Sequence, residues 1–300
     1  MGAGGEPVDP RRTLASHGVA DLPPNRLDQD AWTLETTLAV DGRAHTVWVF
    51  PGRPGNATLE WRDPRVSAAN RDRTLAAVRH MLRLDEDLTR FYALVAAEPD
   101  LAWATTGAGR MLRSPTVFED VIKTVCTTNC AWSGTVRMVT ALVDHLGVEG
   151  RHGRAFPSPA AMAEAPEDLY RDVARAGYRG AYLRAIAAAV ADGSLDLEAL
   201  DGRSDLADDE VADRLLALPG VGPYAAAHIM MLLGRYGRLI LDSWTRPKYA
   251  RLAGRKTVAD RTIERRFRRY RDFAGLAFWL YLTRDWVADG ELAPPAPVRR

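Results

Sequence analysis

Apolar residues alternate with polar ones in the first quarter of the chain and then switch to a period of three to four. Trp32, Leu34, Leu38 and Val40 share one face of an alternating run. Asp41-Gly42 follows, and Arg43 to Phe50 alternates again before Pro51-Gly52. Asp-Gly between two such runs is a strong hairpin signal. Ala57 to Trp61 predicts a third strand, so this region reads as a small antiparallel sheet. From about Ser67 the spacing becomes helical: Leu75, Val78 and Leu82; Leu88, Phe91, Leu94 and Val95; Val117, Phe118, Val121, Ile122 and Val125; Val139, Leu142, Val143 and Leu146; Leu183, Ile186 and Val190. Phe156-Pro157-Ser158-Pro159 predicts a linker into a helix near Pro159. Residues 1–30, rich in Gly, Pro and charge, are expected to be loosely ordered. The predicted fold class is α+β: a β-rich domain over 31–100 with its connecting helices, then a mostly helical, two-lobed core over 101–300.

Composition narrows the class. The chain has 300 residues, 47% hydrophobic and 26% charged, which suits a soluble globular protein of two or three domains. The best apolar run, Ala274 to Leu282, is far shorter than the roughly 18–20 residues of a membrane span, and Met1 to Thr13 has no signal-peptide core. A cytoplasmic monomer with no membrane association is therefore expected. The two cysteines, Cys126 and Cys130, are too few for a disulfide framework or a four-Cys metal site and are expected to be buried apolar thiols.

Net charge is only +1, but its distribution is uneven. From Ser243 to Arg271 the chain carries Arg246, Lys248, Arg251, Arg255, Lys256, Arg261, Arg265, Arg266, Arg268, Arg269 and Arg271 against Asp260 and Glu264 alone. Such a stretch reads either as a nucleic-acid face or as a solvated helix surface. Lysine is otherwise scarce: Lys123, Lys248 and Lys256 are all the chain has, which limits imine chemistry.

The most informative segment is Leu218-Pro219-Gly220-Val221-Gly222-Pro223-Tyr224. A helix from about Asp208 to Ala217 precedes it. A second, with Pro223 in its first turn, follows to about Leu233. Glycines between two helices let backbone N–H groups and the positive helix end approach a phosphate, although a tight helical corner has the same spacing.

Leu218-Pro-Gly-Val-Gly222 with Asp242 twenty residues on resembles the helix–hairpin–helix DNA glycosylase superfamily. So do Arg110-Met-Leu-Arg-Ser-Pro-Thr-Val-Phe-Glu119 with Cys126-Thr-Thr-Asn129, Ala176-Gly-Tyr-Arg-Gly-Ala-Tyr-Leu183, and Phe273-Ala-Gly-Leu-Ala-Phe-Trp279. The resemblance spans roughly residues 30–290 and lies with the 3-methyladenine and 8-oxoguanine branches. It implies that Asp242 is the catalytic carboxylate, a role compatible with capping a helix. Where bifunctional members carry a lysine this chain has Tyr224, which implies hydrolysis without strand cleavage. Neither the lyase lysine nor an iron–sulfur cluster is expected. His228, one helical turn after Tyr224, and Phe278 are implied to line the base pocket. Aromatic walls favour cationic, alkylated purines.

By the same resemblance Asn129 fills the gap left by the flipped base, Tyr178 is the wedging aromatic, and Arg179 is placed to reach a phosphate or the orphaned base. Gly220, Val221 and Gly222 offer N–H groups to a phosphate, with Arg246 and Lys248 as further contacts. Each of these residues also has an ordinary structural role open to it: core packing for Tyr224 and His228, capping for Asn129, an interhelix turn for Tyr178 and Arg179. No cofactor or metal is required, and a monovalent cation on the hairpin carbonyls is compatible with the family. The implied partner is double-stranded DNA containing a damaged base, and the implied location is the nucleoid. Two other readings stay open: an 8-oxoguanine glycosylase/lyase, and a non-catalytic damaged-DNA-binding protein of the same fold.

Overall fold

A computed structural model describes residues 1–52, 56–63, 65–202 and 204–287. The chain opens with α1 (Pro10–Leu14), capped by the Asp9 carboxylate accepting from the Arg11 and Arg12 N–H groups. A four-stranded antiparallel sheet follows in the order β1 (Arg26–Asp28), β2 (Thr33–Val40), β3 (Arg43–Pro51) and β4 (Ala57–Trp61). Leu34 pairs with Val49, Thr36 with Val47 and Leu38 with His45. The β2–β3 turn is the predicted Asp41-Gly42, with φ of 51° and 71° at the two positions. Those left-handed values match a hairpin turn that follows strand twist.

The buried face of β2, Leu34, Thr36, Leu38 and Val40, packs toward α2 (Ala68–Met81), whose Val78 and Met81 enter the same cluster. The helical remainder comprises α3 (Thr89–Val95), α4 (Val117–Thr127), α5 (Trp132–Leu146), α6 (Pro159–Glu164), α7 (Arg179–Ala191), α8 (Asp208–Leu216), α9 (Pro223–Leu232), α10 (Thr245–Leu252), α11 (Asp260–Phe267) and α12 (Ala274–Thr283). It is organised around two further apolar clusters. One joins α4, α5, α7 and α8; the other joins α3, α10, α11 and α12. Helix α9 serves both. Its Ala225, Ala226, Ile229 and Met230 enter the first cluster and its Ala227 and Met231 the second. That is why PYAAAHIMML is apolar around most of its circumference rather than amphipathic. Tyr224, at the start of α9, packs against both clusters and so stands at the boundary between the two lobes.

Residues 1–30 correct the expectation of loose order. Glu6 is buried in an ion pair with the wholly buried Arg110. Arg12 donates to the carbonyls of Arg284 (3.3 Å) and Val287 (3.1 Å), and Leu14 and Ala20 enter the sheet's apolar cluster. Charges of this segment have buried partners far along the chain, which no local pattern displays. A second correction concerns the thiols: Cys126 is buried but Cys130 is exposed. Helix α4 ends at Thr127 and Asn129 is left-handed (φ 47°), so the two cysteines do not share a helical face.

Candidate active site

The helix–hairpin–helix forms as predicted. Gly220 takes φ of 81°, and a Cβ there would meet the Tyr182 ring at 2.7 Å. Glycine is required on both counts. Gly222 is extended (φ −98°, ψ −175°) and borders open space. The Val221 N–H donates to the Leu218 carbonyl (3.1 Å) and its side chain is buried, so this residue has no free donor for a phosphate. Among the described residues the Gly220 and Gly222 N–H groups have no partner. The hairpin's usable donors are therefore two rather than the expected three.

The hairpin borders a cavity of about 1410 Å³ between the two lobes. This exceeds the roughly 300–1,000 Å³ of most small-molecule pockets and suits part of a macromolecule. Asp242 lies in its wall, just before α10. Its Oδ1 accepts from the N–H groups of Trp244 (2.8 Å) and Thr245 (2.6 Å), and Thr245 Oγ1 accepts from the Asp242 N–H (2.8 Å). This reciprocal cap fixes the carboxylate, and its Oδ2 is left without a partner among the described residues. Tyr224 and Asp242 line the same cavity. Burial raises the Tyr224 phenol above its ordinary pKa, and the charge of Asp242 raises it further, against a weak hydrogen bond shared with the Thr127 hydroxyl (3.4 Å).

Indoles dominate the remaining wall. Trp244, Trp279 and Trp286 form a triangle with ring centroids 5.7–5.8 Å apart, and Trp132 lines the same cavity. Trp132, Tyr178, Trp244 and Trp286 are 45%, 53%, 41% and 41% exposed. Among the described residues these are all the exposed large aromatics, and every one lines this cavity. Exposed aromatic surface concentrated at one site marks recognition rather than packing.

Phe278 is corrected. It is fully buried against Tyr249 and Phe267, and Trp279 lines the cavity in its place. Neighbouring helix residues differ by about 100° in direction, so alignment by one residue exchanges a core position for a wall position. Trp279 Nε1 donates to the Ser16 carbonyl (2.8 Å), tying α12 to the N-terminal segment. His228 does line the cavity, where the Tyr224 ring packs edge-on against it at 4.6 Å.

His228 has a partner that sequence reasoning missed. His17 Nε2 and His228 Nδ1 share a hydrogen bond of 3.0 Å, and the outer nitrogens, His17 Nδ1 and His228 Nε2, are buried without partners. Burial lowers both imidazoles to about 3; the two rings also disfavour each other's charge at His17. His17 is partly exposed as a residue, but its ring packs between His228 and Trp279. Both rings are thus neutral at neutral pH. Between pH 6.5 and about 3 the unfolded chain binds protons that the folded one does not. Stability is therefore expected to be full above pH 6.5 and to fall steadily below it. Denaturant midpoints at pH 7 and pH 5 check this: the wild-type loss should be clearly larger than that of a His17→Phe/His228→Phe variant.

At the rim, residues distant in sequence come together. Asn129 Nδ2 donates to the Tyr178 hydroxyl (3.1 Å), and the Arg179 guanidinium lies 4.6 Å from the Tyr178 ring centroid. Arg179 also donates to the Thr128 carbonyl and is buried, so it holds the rim together rather than reaching outward. Arg246 lines the cavity but is bidentate to Asp260 (2.8 and 2.9 Å). Lys248 lies outside the lining and pairs with Asp285. Lys123 is buried on Glu119 (2.6 Å) and Lys256 lies beyond α10, so no lysine lines the cavity. Among the described residues no three His, Cys, Asp or Glu side chains cluster as metal ligands, and no helix is long and apolar enough to cross a membrane.

The chain thus combines two helical lobes, a helix–hairpin–helix at their boundary and a carboxylate at the start of the next helix. Solved structures share this fold over most of the chain. A 3-methyladenine DNA glycosylase from Archaeoglobus fulgidus superposes with a TM-score of 0.73, covering 95% of this chain and 98% of that one at 18% identity. MBOgg1, solved with a low-affinity DNA ligand, gives 0.70 over 94% of each chain at 18% identity. The 8-oxoguanine glycosylase/lyase of Clostridium acetobutylicum gives 0.65, covering 88% of this chain and 92% of that one, also at 18% identity. No protein-family model and no curated protein sequence matches the chain.

Proposed function

We propose that the chain is a base-excision DNA glycosylase that draws an alkylated purine from duplex DNA into the indole-walled cavity and hydrolyses its N-glycosidic bond. The observation that carries this reading is the fixed Asp242 carboxylate, with one oxygen uncommitted, in an aromatic cavity beside the hairpin. As the bond breaks, its electron pair leaves with the base and positive charge develops on the sugar. A preorganised anion beside the sugar stabilises that charge. Water adds to the anomeric carbon and loses a proton, leaving an abasic site in an intact strand. A cationic alkylpurine is already a good leaving group, and aromatic faces attract it by about 0.5–2 kcal/mol per ring. Trp244, Trp279, Trp286 and Tyr224 supply those faces. Phe278, buried elsewhere, does not contribute.

The absence of lysine from the lining supports hydrolysis over imine formation, because a phenol cannot form an imine with the sugar. Strand products with and without hot alkali test this on duplexes carrying 7-methylguanine, ethenoadenine, hypoxanthine or 8-oxoguanine. Breaks on alkylated duplexes are expected only after alkali, and borohydride should trap no covalent adduct. Breaks without alkali on 8-oxoguanine, with a trapped adduct, would establish a lyase and refute the hydrolytic reading.

A further inference from the structure

The basic stretch of the sequence is not uniformly available. Arg246, Lys248, Arg266 and Arg269 are each held by a carboxylate: Asp260, Asp285, Asp100 and Glu98. By contrast, Arg255, Lys256, Arg261, Arg265 and Arg268 are exposed, and among the described residues their side chains have no ion pair or hydrogen bond. Arg261, Arg265 and Arg268 stand at i, i+4 and i+7, so they form one stripe along α11 and its continuation. The opposite face, Ile263 and Phe267, is buried in the second helical cluster. Like charges stacked at this spacing oppose helix formation, and Glu264 on the flank forms no ion pair with them. Arg265 of the stripe lines a hollow of about 870 Å³ together with Arg255, Thr257 and Thr262, and the one carboxylate in that lining, Asp100, is paired with Arg266. Guanidinium groups with hydroxyls suit phosphate oxygens.

Position adds the second argument. Helix α10 begins beside Trp244 and Arg246 of the cavity and ends at Leu252 in the wall of the hollow. Its eight residues span about 12 Å. We propose that the Arg261–Arg265–Arg268 stripe and its hollow form a second backbone-binding surface. It takes the phosphodiester of the duplex on one flank of the flipped base. This rests on the reading of the chain as a duplex-binding glycosylase, in which the hairpin holds the backbone next to the lesion.

Salt-dependent binding to undamaged duplex, followed by fluorescence anisotropy, tests the surface without depending on excision. For Arg261→Gln/Arg265→Gln/Arg268→Gln, the slope of log K against log salt is expected to shrink by about 2–3 on a long duplex. Its thermal midpoint should stay at or above that of the wild type, since no native partner is lost. Arg261→Lys/Arg265→Lys/Arg268→Lys should keep the wild-type slope. On duplexes that carry one abasic-site analogue and are cut back on one flank of it or the other, the wild-type and Gln-variant slopes should converge for one of the two truncations. Wild-type binding with an unchanged slope in the Gln variant would overturn the surface. A smaller slope that persists equally on both truncated duplexes would overturn its place on one flank of the lesion. Failure of the wild type to bind duplex DNA at all would instead remove the glycosylase reading, and the surface with it.

Discussion

Asp242→Asn is expected to slow base excision about a thousandfold, ~4 kcal/mol of transition-state stabilisation, while the protein stays folded. The two consequences separate because Asp242 does two jobs. Its Oδ1 accepts the N–H groups of Trp244 and Thr245 and starts α10, while its second oxygen is uncommitted. Asparagine caps helices about as well as aspartate, so the cap survives while the negative charge is lost. Asp242→Ala should show the same rate loss together with a stability loss of about 1 kcal/mol, because the cap goes too. Single-turnover rates on a 7-methylguanine duplex, set beside denaturant midpoints for both variants, check the pair. A cap-only role would leave Asp242→Asn near wild-type activity.

Glu6→Ala is expected to destabilise the fold by about 3–5 kcal/mol, an unusually large effect for a residue so near a chain terminus. Arg110 has no exposed surface, and Glu6 is its carboxylate partner. Arg110 also donates to the carbonyls of Arg83 and Glu86, and Glu6 Oε1 accepts the Leu88 N–H (3.0 Å). Truncating Glu6 therefore leaves a buried cation uncompensated and a buried amide unpaired. The damage should reach the cavity. The same segment continues into Leu14, His17 and Ala20 of its wall, and Trp279 is fastened to Ser16. Gly18 packs so closely against Trp132 that a Cβ would lie 2.6 Å from the indole. Urea unfolding of wild type and Glu6→Ala gives the difference directly. A difference under 1 kcal/mol would mean that the N-terminal segment is not integral to the fold.

Local signals in the sequence account for most of the architecture. Strict alternation around Asp41-Gly42 defined β2 and β3, because a half-buried strand and its tight turn are encoded within a few residues. The hairpin at Gly220 was equally local. Asp242 was singled out only through the family resemblance of the hairpin segment, and its position before α10 agrees with the capping geometry of an aspartate. What could not be read was assembled from distant parts. Glu6 meets Arg110, and His17 meets His228, across separations that no periodicity encodes. Phe278 was one residue from the wall position, since an all-apolar helix such as AGLAFWLYLT carries no amphipathic phase to orient it. The indoles of Trp132, Trp244 and Trp286 went unremarked because composition alone cannot distinguish a core tryptophan from a recognition surface. Their one shared property, exposure into a common cavity, exists only in three dimensions.

Free base released from duplex DNA methylated at guanine, followed chromatographically over a single turnover, tests the central claim most directly. The account predicts that the wild type releases 7-methylguanine and leaves an alkali-labile but unbroken strand, and that Asp242→Asn releases it about a thousandfold more slowly. Equal release by the two proteins would remove Asp242 from the chemistry. Tight duplex binding with no base released from any substrate would instead make this cavity a damage-recognition site without catalysis.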